Sequence, residues 1–220
     1  MTLNLLLLLL LNNMDFKLPK EAFVNKFIPK SKFFGKAILN TRLKNEFIDK
    51  IQRITWKYKL AEETISINKT EKVEEIQIFE IELKKQIIPK NILKIIDRTI
   101  PYPILYVFIY KDNFAYGISL KDESVGSYYF SEWNEQKEFN FTGINLENIY
   151  QNIIKEFITK TKTDNKKFND IIGIDDNIKI LEKEVQVLKN KVNKEKQFNR
   201  KVELNKILLK KKKELNNLLK

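Results

Sequence analysis

The chain has 220 residues, 43% of them hydrophobic, enough for one core of ordinary size plus an appendage. It contains no cysteine and no histidine. Disulfides, thiolate catalysis, Cys/His metal sites, histidine general bases and Ser-His-Asp triads are therefore excluded, leaving carboxylates, lysine, tyrosine, hydroxyls and oxygen-ligated hard cations. The formal net charge is +12, and the residues from Asp176 onward, with 14 Lys+Arg against 6 Asp+Glu, hold +8 of it. Such a balance suits nucleic acid, an acidic protein or an anionic surface, although the richness in Lys, Asn and Ile is also what an AT-rich genome produces.

The run Leu5 to Leu11 is too short to span a bilayer, which takes about 20 apolar residues. It has no basic leader before it and no small-residue cleavage site after it. Met14 is read as the biological start and residues 1–13 as a spurious or disordered leader. No targeting signal remains, and a cytoplasmic protein is expected.

In chain order, Leu18 to Phe34 holds short apolar groups between Pro19 and Pro29 and reads as a short helix between two turns. Leu43, Phe47, Ile51, Ile54 and Tyr58 recur every three or four positions, so an amphipathic helix is predicted from Thr41 to Leu60, capped by Thr41. Between Glu74 and Lys84 the period becomes two, and a strand is predicted with Phe79, Ile81 and Leu83 inward and Glu80, Glu82 and Lys84 outward. Pro89 opens a short helix through Ile96, which Pro101 and Pro103 end.

Three β-type runs follow, Ile104 to Tyr110, Phe114 to Leu120 and Ser127 to Phe130, the first two joined by the short polar Lys111-Asp112-Asn113. They predict an antiparallel meander. Asn145 is placed to cap a helix running to about Ile158, and Thr159 to Asn169 reads as a polar linker.

From Asp176 onward there is neither proline nor glycine. Leu181, Val185, Leu188 and Val192 have the spacing of a coiled-coil seam, as do Leu204, Leu208, Leu215 and Leu218, but the two registers are out of phase. Asn193 to Lys201 is thus either a stutter in one rod, about 65 Å long, or the bend of a helical hairpin. The expected plan is an α+β domain over 14–158 with an antiparallel or mixed sheet packed with helices, a linker over 159–175, and a basic coiled coil or helical hairpin over 176–220.

Two constellations could carry chemistry. Glu80, Glu82 and Lys84 project from one side of a strand, where two carboxylates could hold magnesium and the amine could orient water. The Glu-x-Lys spacing resembles the second half of the PD-(D/E)xK nuclease motif, with Glu82 and Lys84 as catalytic residues and Glu80, Glu82 and Glu75 as metal ligands. The acidic residue those nucleases carry on the preceding strand has no clear counterpart here, and a half-exposed strand wears the same charges on its wet face. The second constellation is the basic C-terminal region: Lys189, Lys191, Lys194, Lys196, Arg200 and Lys201 around the phase break, then Lys210, Lys211, Lys212 and Lys213. These could neutralise phosphates, or simply solvate a helix exterior. No glycine-rich phosphate loop exists, which argues against ATPases, kinases and dinucleotide enzymes.

Several phrases carry a family resemblance: IPKSKF at Ile28 to Phe33, ITWKYKL at Ile54 to Leu60, VEEIQIFEIELK at Val73 to Lys84, IDRTIPYPILYVF at Ile96 to Phe108, YYFSEWNE at Tyr128 to Glu135 and KQFNRKVELN at Lys196 to Asn205. Together they resemble the prokaryotic domain of unknown function numbered forty-three ninety-one, from Leu18 to the end. The resemblance implies no functional residue. It does imply a gene neighbourhood of helicases and DNA methyltransferases in defence (phage-defence) or restriction-modification-like clusters.

The expectation is therefore a non-catalytic accessory subunit of a DNA-handling assembly. It would need no cofactor, would meet a protein partner such as a helicase or DNA methyltransferase and possible nucleic acid but no membrane, and could self-associate through its helices. The alternative is a magnesium-dependent nuclease.

Overall fold

The computed structural model describes residues 16–36, 39–121, 127–160 and 166–219. The leader read at 1–13 lies outside these residues. The chain divides into two compact units at Phe157 and Ile158.

The first unit is built on a six-stranded sheet whose spatial order follows the sequence: β1 (Phe23–Phe27), β2 (Ile51–Leu60), β3 (Ile76–Leu83), β4 (Ile104–Tyr110), β5 (Asn113–Ser119) and β6 (Tyr128–Phe130). Every neighbouring pair is antiparallel except β3 and β4, which are parallel. A parallel pair needs a crossover, supplied here by the helix between those two strands. The fold is α+β with a mixed sheet, as expected, and β4 to β6 form the predicted meander.

Two predicted elements differ. The periodicity that reads as one helix over 41–60 splits into helix α2 (Thr41–Lys50), after α1 (Ser31–Lys36), and the strand β2. Asn40 rather than Thr41 caps α2, its side-chain oxygen accepting from the Leu43 N–H at 2.9 Å. Ile51 and Ile54, three apart, fit a helical face, and in the strand they share the inward face because a bulge lies between Ile51 and Arg53. Beyond them Thr55, Trp56 and Tyr58 are β-branched or aromatic, and the chain turns extended at Ile51 without a loop. The second difference is β1, which the sequence suggests is helical. It is an edge strand, bulged between Phe23 and Lys26 where Asn25 takes a left-handed φ of 46°. The bulge and an almost fully exposed burial pattern erase any two-residue alternation.

Alternation elsewhere sorts the side chains. Ile54, Phe79, Ile81, Tyr106, Phe108 and Ala115 lie on one face, packed against Phe33, Phe47 and the buried side of α4 (Lys90–Thr99), namely Ile92, Leu93, Ile95 and Ile96. After the short α3 (Glu62–Ile65) at the end of β2, the opposite face carries Ile78, Leu105, Val107, Tyr116 and Ile118, all buried. Phe139 meets Tyr116 edge-on at 5.0 Å there, and α5 (Leu146–Lys155), capped by Asn145 as predicted, sends the Tyr150 hydroxyl to the Ser119 carbonyl at 2.6 Å. Gly117 is required by packing: a Cβ there would lie 2.8 Å from the Phe130 ring and 3.0 Å from that of Phe108.

The second unit holds two helices, α6 (Phe168–Lys194) and α7 (Phe198–Leu218), which form a hairpin. Helix α6 takes in the end of the stretch read as linker. Val185, Val192 and Leu208 are buried between them, with Leu188 and Leu204 packed alongside. The bend needs no glycine. Glu195 and Gln197 are extended, and the Glu195 carboxylate accepts from the Gln197 N–H at 2.9 Å while pairing with Arg200 at 3.5 Å, which ties the bend to the first turn of α7.

Candidate functional site

The outward carboxylates of β3 are each matched by a cation on β2. Glu82 faces Arg53 in register, 3.9 Å apart, and Glu80 pairs with Lys57 at 3.3 Å. Glu75, just before the strand, pairs with Lys59 at 3.4 Å and accepts from the Gln77 amide at 2.5 Å. Lys59 also holds Glu63 at 2.5 Å, and that hydrogen bond, helped by the charge of Glu75, raises its ammonium above the ordinary lysine range.

Lys84 lies past the strand end, its N–H donating to the Lys50 carbonyl at 2.9 Å. Its charge adds to the burial that lowers the ammonium of Lys30, which itself donates to the Ile51 carbonyl. Among the described residues Lys84 makes no ion pair with Glu82, and no three acidic side chains converge where they could hold a metal ion. Glu80 and Glu82 stand about 7 Å apart by strand rise. Ligation at roughly 2.1 Å would require both to leave their partners on β2. The structure thus pairs Glu80 and Glu82 with cations on one face of the sheet, sets Glu75 with Gln77 and Lys59 on the other, and leaves Lys84 past the strand end.

The basic residues of the hairpin separate into two groups. Lys211 is used internally, bridging Glu184 of α6 at 3.0 Å and Glu214 at 3.1 Å, which raises its ammonium. Arg200 is held by Glu195. Lys189, Lys191, Lys194, Lys196, Lys201, Lys210, Lys212 and Lys213 make no ion pair among the described residues, and most of them are exposed.

The polar cluster with the strongest electrostatic perturbation is one that the sequence reading misses. Asp97, on the last turn of α4, is buried. Its Oδ1 accepts from the hydroxyls of Tyr106 on β4 and Ser119 on β5, each at 3.1 Å, and its Oδ2 accepts from Tyr128 on β6. The Lys121 ammonium sits 3.3 Å from Oδ1 and donates to the carbonyls of Asp97 and Ile100, both at 2.9 Å, so it also caps the open end of α4.

Burial drives both tyrosine hydroxyls well above their ordinary range, with the neighbouring carboxylate adding to it. The Lys121 ammonium is pushed down by burial more than Asp97 holds it up. A carboxylate with three hydroxyl donors and a cation has its acceptor sites filled, so the cluster clamps α4 to three strands. The only signal in the sequence is a lone Asp in an apolar stripe. Its partners come from 9 to 31 residues away, a separation that no local pattern carries.

The sequence model of a family described as Domain of unknown function (DUF4391) matches residues 16–215. The chain belongs to the DUF4391 family. No curated protein and no solved structure matches it. The DUF4391 match spans both the sheet unit and the hairpin. No helix among the described residues is long and apolar enough to cross a membrane.

Proposed function

We propose that this DUF4391 chain is a non-catalytic accessory subunit of a DNA-handling assembly. Its basic hairpin would contact phosphates, and its α+β domain would dock on a protein partner. The observation that carries this reading is the division of labour in the hairpin: its apolar seam is closed by its own two helices, Lys211, Arg200 and Lys179 are spent on internal carboxylates, and Lys189, Lys191, Lys194, Lys196, Lys201, Lys210, Lys212 and Lys213 make no ion pair among the described residues. Unpaired cations along paired helices suit a polyanion, whose counterions they would release. The partner class, a helicase or DNA methyltransferase, follows from the gene neighbourhood that the family resemblance implies.

The test is fluorescence anisotropy with labelled duplex DNA over a salt series, using the full chain and a variant with Lys194, Lys196 and Lys201 changed to Ala. Each lost phosphate contact lowers the slope of log K against log salt by about 0.9. A slope unchanged in the variant would remove the hairpin from the account.

The second reading, a magnesium-dependent nuclease with Glu82 and Lys84 as core residues, is favoured by one observation: β3, α4 and β4 set the acid-x-Lys strand beside a parallel strand across a helix crossover. Against it stand the ion pairs that hold Glu80 and Glu82 on one face and Glu75 on the other. Cleavage of the same duplex in magnesium, abolished by Glu82→Gln, would put this reading first.

A further inference from the structure

Between the bulged edge strand β1 and the C-terminal end of α4 lies a cavity of about 550 Å³, within the range of small-molecule sites. Its lining is rich in aromatic residues, with Phe33, Trp56, Phe79 and Tyr102 around it and Phe27 at its edge. Three of the polar groups among them already donate inside the protein, while the Tyr102 hydroxyl makes no hydrogen bond among the described residues. The Trp56 N–H donates to the Tyr58 carbonyl at 2.8 Å, the Gln77 amide to Glu75, and the Thr99 hydroxyl to the Ile95 carbonyl at 2.8 Å.

The body of the cavity is therefore largely apolar, with the Tyr102 hydroxyl as its one side-chain group left to meet an occupant among those described. Charge enters only at its solvent side, through Lys26 and Lys32, both exposed and without an ion pair among the described residues. None of the described lining residues is acidic.

We infer that this cavity binds a small amphipathic anion, a flat aromatic body with one carboxylate or phosphate head. Aromatic walls favour a planar ring through offset and edge contacts over a flexible chain, and the two lysines set the head at the mouth. The bulge at Asn25 turns β1 at this edge, and it is between its residues and α4 that the cavity opens. The inference does not depend on the reading of the hairpin.

Isothermal calorimetry on the full chain tests it, with 1-naphthyl phosphate, 1-naphthoate, neutral 1-naphthylmethanol and dodecanoate as probes. Saturable binding of a naphthyl anion with a Kd below about 1 mM is expected, with the phosphate and carboxylate arms showing which head is preferred. The neutral alcohol should bind more weakly. The Lys26→Ala/Lys32→Ala double variant should lose roughly fivefold in affinity for the anions and little for the alcohol. Both lysines are exposed, so the variant is expected to fold. Absence of saturable binding, equal affinity in the double variant, or tighter binding of dodecanoate than of either naphthyl anion would overturn the proposal.

Discussion

Replacing Asp97 by Asn tests whether the buried clamp holds the sheet unit together. The substitution conserves shape and lets one amide oxygen go on accepting from Tyr106 and Ser119, but it removes the negative charge. The Lys121 ammonium, its side chain 18% exposed, then faces a neutral group, and the Tyr128 hydroxyl meets an N–H where it met an oxygen. Breaking a buried pair by removing one partner costs about 3–5 kcal/mol. Because Lys121 keeps some water access, the low end applies, and the expected loss is about 3 kcal/mol.

With a urea m-value of about 2 kcal/mol/M, the unfolding midpoint read by tryptophan fluorescence should fall by roughly 1.5 M. Lys121→Met is the informative companion. Burial of the ammonium outweighs its attraction to Asp97, so removing it should cost only about 1 kcal/mol, leaving a carboxylate still served by three hydroxyls. A loss under about 1 kcal/mol in Asp97→Asn, or equal losses in the two variants, would refute this account.

Two further outcomes follow from the same unit. Gly117→Ala drives a methyl into the rings of Phe130 and Phe108, and should destabilise by about 1–3 kcal/mol on the same urea scale. Stability should also fall in alkali. Tyr106 and Tyr128 have folded-state values raised above the ordinary 10.0, so above about pH 10 the unfolded chain loses protons that the folded one keeps. Their contribution is present below that pH and lost as pH rises. Lys121, lowered by burial, works in the opposite sense below 10.5, where the unfolded chain binds the extra proton, and the two tyrosines outweigh it above. Urea midpoints from pH 8 to 11.5 should decline more gently in Tyr128→Phe than in the unchanged chain, and parallel curves would contradict the assignment.

Much of this architecture was legible because local chemistry and final environment agree. The alternation of Phe79, Ile81 and Leu83 with Glu80 and Glu82 marks a strand with one dry face. Asn145 marks a helix start, Lys111 to Asn113 a tight connection, and the phase slip near Asn193 the place where the hairpin bends. Each signal lies within a few residues of the element it specifies.

Where the local pattern pointed the other way, tertiary structure decided. The spacing of Ile51 and Ile54 is helical, and only the partners β1 and β3 on either side, with a bulge between Ile51 and Arg53, make Ile51–Leu60 extended. The candidate site divides in the same way. That Glu80 and Glu82 share one face was readable from β3 alone, whereas their pairing with Lys57 and Arg53, and that of the buried Glu75 with Lys59 on the other face, depends on the register with β2. Asp97 is the extreme case, since its partners come from three strands and a following loop. By itself the sequence determined where charge, aromatic rings and chain breaks lie, because these are properties of single residues and their neighbours. Only the folded sheet determined which charges neutralise one another and which stay free, because ion pairing is set by distance in space and not by separation along the chain.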